Sequence, residues 1–175
     1  MINSLFFALV LSLIFILHGL EEYVLFDESS VSTYKFIGSA FYSRRLFTIA
    51  VSLLALIVIS ITFLNYVYST TLLHTLVRVI LLALFLNGLL HCVGALYYRR
   101  FLPGLITSVV LIIPFSLYVL ITAHAEITDN IVGLLTYVLM AAVMMSVSIF
   151  VCFWLAFLID KLILLCHQHL YSNRK

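Results

Sequence analysis

Five runs of apolar residues divide the chain, each near the length needed to cross roughly 30 Å of bilayer hydrocarbon as a helix. They fall at roughly residues 3–26, 46–66, 75–97, 104–123 and 131–159. Between the first two lies DESSVSTYKFIGSAFYSR, long enough for a short interfacial helix. The other connections are short, so consecutive helices are expected to be antiparallel neighbours. No basic residue precedes the first run, and HGLEEY follows it rather than a small-x-small cleavage site, so it reads as a span and not as a signal peptide. The pattern predicts an all-α fold: a polytopic membrane bundle of five transmembrane helices, forming a single domain over residues 1–175.

Composition sharpens this reading. Of 175 residues, 65% are hydrophobic and 9% charged, with a mean hydropathy of +1.27. Soluble domains run about 45–50% apolar and about 25% charged, so lipid is the expected surrounding. The same numbers exclude disorder, and nine Lys+Arg against seven Asp+Glu, a net charge of +2, excludes a nucleic-acid binder. Cys92, Cys152 and Cys166 form no CxxC pair, which argues against a disulfide framework or a zinc finger.

The charges are sorted by side. With five spans, the first and third loops and the C-terminal tail share one face, which carries Lys35, Arg44, Arg45, Arg99, Arg100, Lys161, Arg174 and Lys175, eight of the nine basic residues. Only Arg78 falls toward the other. Basic residues stay cytoplasmic, so the N-terminus is expected outside and the C-terminus inside.

Ionisable groups inside a span cost about 2.5–3.5 kcal/mol at mid-membrane and call for a reason. His18, Glu21 and Glu22 occur as H-G-L-E-E, where the i+3 and i+4 spacing sets one imidazole between two carboxylates on one helix face. Gly19 adds no bulk there. Asn87 and His91, in N-G-L-L-H of the third span, are also i,i+4. Counted from the outer ends of their spans, His18 and His91 both lie roughly 22–24 Å deep, so the two constellations are expected to meet inside the bundle. YYRRFLPG follows the third span at that level. Pro103 suits a first helical turn, Gly104 permits close backbone approach, and Tyr97, Tyr98 and Phe101 fit an interfacial aromatic belt.

H-G-L-E-E at 18–22, the later His91 and F-L-P-G at 101–104 together resemble the prokaryotic membrane family named for its HXXEE motif. That family's pattern joins HxxEE to another histidine and a Y-x-P-G stretch; Phe101 stands where the tyrosine would be. The resemblance covers roughly residues 18–104. It implies a multi-pass protein of a prokaryotic cytoplasmic membrane with a site at these positions, and carries no assigned reaction.

Two imidazoles with one or two carboxylates suit a divalent metal such as Zn, Fe or Mn, with His18, Glu21, Glu22 and His91 as candidate ligands. Asn87 would be a ligand, an orienting group or a substrate hydrogen-bonder. A spare glutamate would serve as general base, so Glu21, Glu22 and Asn87 are the candidate catalytic residues. The expected function is a metal-dependent membrane enzyme acting by hydrolysis or acid–base chemistry on a lipid-like or isoprenoid-like substrate. The rivals are a small proton or cation transporter or channel, for which dimerisation would be needed, and a non-catalytic accessory or immunity subunit. The plainer readings are that Glu21 and Glu22 snorkel to the interface and that Asn87 and His91 are interhelical packing contacts.

Other polar residues are expected to matter less. His124, Glu126 and Asp129 lie in an outer loop, where Glu126 could pair with Arg78, and His74 is expected at the outer interface. Cys166, His167 and His169 belong to a basic tail expected to lie against anionic lipid. Asp160 and Lys161 mark the expected inner end of the fifth span. Pro114 is expected to kink the fourth span and open space beside the site. Beyond membrane lipid, the expected partners are a hydrophobic small molecule and a second copy of the chain.

Overall fold

The computed structural model describes residues 4–26, 43–122 and 131–172, and among them every element is helical. We label the helices α1 (Leu5–Val24), α2 (Arg44–Tyr68), α3 (Thr71–Tyr98), α4 (Leu105–Thr122) and α5 (Ile131–Ser172). All five contain a stretch long and apolar enough to cross a membrane. The expected interfacial helix between the first two spans, together with Asp27, Glu28, Lys35, His124, Glu126, Asp129, Arg174 and Lys175, lies outside the described residues, as do the side chains of His167 and His169.

Local chemistry sets the helix ends. A helix starts with backbone N–H groups that have no intrahelical acceptor, and a Ser or Thr oxygen at the N-cap satisfies one of them. Ser4, Ser43 and Thr70 do so for α1, α2 and α3, accepting from Phe7, Leu46 and Leu73. At the other end of α1, the Arg44 guanidinium donates to the carbonyl oxygens of Tyr23 (2.9 Å) and Val24 (3.5 Å), a cation placed where the helix dipole favours one. The α2–α3 and α3–α4 connections are tight. Ser69 (φ 45°) and Arg99 (φ 51°) adopt left-handed conformations that end α2 and α3 and turn the chain back.

Two elements go beyond the sequence expectation. The fifth helix continues past residue 159 to Ser172, because Asp160 and Lys161 are charged but neither breaks a helix, and Leu162–Leu165 extend its apolar run. Charge at that point is absorbed locally: Asp160 Oδ1 forms an ion pair with Arg45 Nε at 2.7 Å, and Lys161 Nζ lies 4.6 Å from the Phe157 ring centre. In α4, the widening comes before Pro114. Residues Ser108–Ile112 form a π turn in which Ile113 N–H bonds to Ser108 O. Pro114 has no N–H to give, and its ring would crowd the carbonyl one α-turn back, so a wider turn relieves both defects.

The core is a set of apolar faces. Phe7, Leu11, Ile14 and Phe15 of α1 pack with Val77, Leu81 and Leu84 of α3 and Ile112 and Val119 of α4. Helix α5 crosses two partners. It meets α2 through Cys152 and Ala156 against Leu46 and Ala50, and α3 through Ala141 against Val79 and Leu82. Glycine makes the α3–α4 approach close: a Cβ on Gly88 would lie 3.0 Å from Ile113 Cγ1 and 3.3 Å from Ile112 Cγ2.

Candidate metal centre

His18 and Glu22 stand one helical turn apart on α1, and His91 reaches them from α3. The His91 Nε2 lies 3.3 Å from Glu22 Oε1, and His18 Nε2 lies 3.6 Å from the same oxygen. The two imidazoles meet edge to face with ring centres 5.1 Å apart. One donor atom from each of the three residues lies within 4.8 Å of the others. Tetrahedral zinc holds nitrogen and oxygen ligands at about 2.0–2.1 Å, which separates neighbouring ligand atoms by roughly 3.3 Å, close to the two spacings between Glu22 and the histidines. His18 is buried, while Glu22 and His91 are partly covered.

The hydroxyl of Thr107, on α4, orients His18. It lies 2.7 Å from His18 Nδ1 and donates to the Gly104 carbonyl (3.3 Å). In the tautomer with its proton on Nδ1, His18 donates to this hydroxyl, and its Nε2 is the nitrogen left to face Glu22. Asn87 completes the surroundings, its side-chain nitrogen 3.3 Å from His18 Nε2.

Glu21 is used differently from Glu22. Its Oε1 accepts the N–H of Ile106 (3.0 Å) and its Oε2 the N–H of Thr107 (2.7 Å). Helix α4 begins on Gly104, which has no side-chain oxygen, so a carboxylate from α1 supplies the missing cap and sits at the positive end of the helix dipole. The group that could hold an ion is thus His18, Glu22 and His91, with Glu21 outside it.

Gly104 explains the P-G step. Its φ of +83° is strained for any residue with a side chain, and a Cβ there would lie 2.7 Å from His18 Cε1, 2.9 Å from His91 Cε1 and 3.1 Å from Glu22 Cγ. Both imidazoles pack against the bare backbone at this point. Phe101 is exposed.

Beside the centre is an apolar cavity of about 130 Å³ between α1, α2, α3 and α5, with His18 and Asn87 in its wall. Helix α4 does not line it, so this space does not arise from Pro114 as expected.

Fold and site together define a five-helix bundle of membrane-spanning character with a His/Glu/His cluster inside it. The chain belongs to the family described as "Protein of unknown function with HXXEE motif", whose model matches residues 9–119. All three residues of the cluster, and Glu21, Asn87, Gly104 and Thr107, fall within that stretch. No curated protein and no solved structure matches the chain.

Proposed function

We propose that the protein is a metal-dependent membrane enzyme whose ion is held by His18, Glu22 and His91 and whose substrate is a lipid-like or isoprenoid-like molecule. The observation that carries this reading is the convergence of two imidazole nitrogens and a carboxylate oxygen, from two helices, at ligand spacing inside an apolar bundle. A divalent ion such as Zn, Fe or Mn would supply Lewis acidity and make water a better nucleophile near neutral pH. The chain's own groups do the rest. Thr107 fixes the His18 tautomer, Asn87 offers an amide to the substrate, and the Glu22 oxygen not shared with the histidines accepts a proton. Glu21 holds the start of α4 against the centre, and so acts by position. The N-terminus lies outside and the basic face lies in the cytoplasm of a prokaryotic cell.

The test is turnover in lipid. Protein charged with Zn, Fe(II) or Mn(II) in nanodiscs of native lipid extract is compared with His91→Ala by mass spectrometry of the lipids. A species consumed only by the charged wild type supports the reading. Unchanged lipids with every metal, together with proton flux in proteoliposomes that stops on Glu21→Gln, contradict it in favour of transport.

A further inference from the structure

The cavity beside the centre has a shape that selects a substrate. Its polar lining residues are His18 and Asn87 at one end and Ser148 on α5; the rest is apolar, including Val58, Ile61, Val79 and Ala83. From Asn87 to Val79 the lining follows α3 for eight residues, about 12 Å at 1.5 Å per residue, leading away from His91. A void of about 130 Å³ drawn out over that distance is narrow. By comparison, a compact cavity of about 150 Å³ holds one benzene ring. There is room for a segment of one slender apolar chain, and none for a fused ring system or for two acyl tails side by side.

The crossing of α5 shows how such a chain gets in. Helix α5 seals against α2 at Cys152 and Ala156 and against α3 at Ala141. Between those seals its Met144–Ile149 segment borders the cavity instead of packing tightly. Met144 and Ile149 of α5, with Ile57 of α2, line the cavity and are 37%, 38% and 42% exposed respectively, so the cavity is not closed off on this side and opens toward the bundle's outer surface. In lipid, that outer surface is where acyl chains lie. The two methionine side chains there, Met144 and Met145, are unbranched and adaptable, suited to a passage that opens and refills.

We propose that the substrate is a single-chain lipid, taken laterally from the bilayer between α2 and α5. A segment of its aliphatic chain fills this cavity, the rest lies along the open side between α2 and α5, and its polar head lies at His18 and Asn87. This rests on the metal-enzyme reading for what happens at the head, but the chain site stands on the cavity alone.

The experiment is photolabelling in nanodiscs with a fatty acid bearing a diazirine about ten carbons from its carboxyl, a distance matched to the roughly 12 Å lining. Adducts are expected on the peptides carrying Ile61 and Val79. They should fall at least about tenfold in Ala83→Phe, which fills the void, and in Ser148→Leu, which narrows it from the α5 wall should the first variant fold poorly. Adducts confined to outward-facing residues such as Phe150 and Trp154, or unchanged by both plugs, overturn the proposal. His91→Ala separates the two readings, because His91 does not line the cavity. Labelling of Ile61 and Val79 that survives in a His91→Ala protein without metal supports the chain site while the metal is judged on its own.

Discussion

Glu21 and Glu22 are neighbours in sequence but point about 100° apart around α1, and the bundle uses that angle to separate a ligand from a cap. Glu22 faces both histidines, whereas Glu21 holds the N–H groups of Ile106 and Thr107. Their substitutions should therefore differ in kind. Glu22→Ala should abolish metal retention with a small change in thermal midpoint, while Glu21→Ala should lower stability by about 1–2 kcal/mol, the usual cost of a lost cap, with metal still bound. Thermal melts paired with metal analysis read both effects. Thr107→Val keeps the shape but removes the hydroxyl that orients His18, and should weaken metal affinity by about 10–100-fold, with Thr107→Ser restoring it. The histidines and Glu22 were legible in the sequence because helical spacing and equal depth put them together. Thr107 was not. Threonines inside spans commonly satisfy themselves on their own helix, as Thr62 does by donating to Val58 O (2.6 Å), so nothing in the sequence marked this one.

At the scale of elements, the site depends on how α4 starts and how closely it lies on α3. Pro103 and Gly104 were readable as a turn, but the position of that turn against α1 is set by packing, so the capping role of Glu21 could not be read from the motif. Two glycines hold this geometry for different reasons. Gly104→Ala brings a Cβ against both imidazoles at a backbone angle that disfavours it, and should reduce metal binding together with stability. Gly88→Val acts at a distance from the histidines, wedging α3 from Ile112 and Ile113. An overpacking cost of about 1–3 kcal/mol is expected, seen as a lower thermal midpoint. The π turn at Ser108–Ile112 escaped the sequence reading, since a proline announces a disturbed helix but not whether it bends or widens.

For the whole molecule, apolar runs fixed the number of helices, because run length alone decides what can span a bilayer. The full length of the α5 helix was not legible, as a charged pair interrupts a hydrophobic run without ending a helix. The proposed orientation has its own check. Cys166 is exposed near the basic end, and Cys92 and Cys152 lie within spans. A membrane-impermeant maleimide should label Cys166 in inverted vesicles and spare it in intact spheroplasts. The central claim is that His18, Glu22 and His91 hold one ion, and it is tested most directly by metal content after chelator-free purification and titration with Zn, Fe(II) and Mn(II). The account predicts one equivalent in the wild type and in Glu21→Gln, and almost none in His18→Ala, Glu22→Ala or His91→Ala. A wild type that takes up no ion, or an ion whose binding is indifferent to all three alanine substitutions, would contradict it.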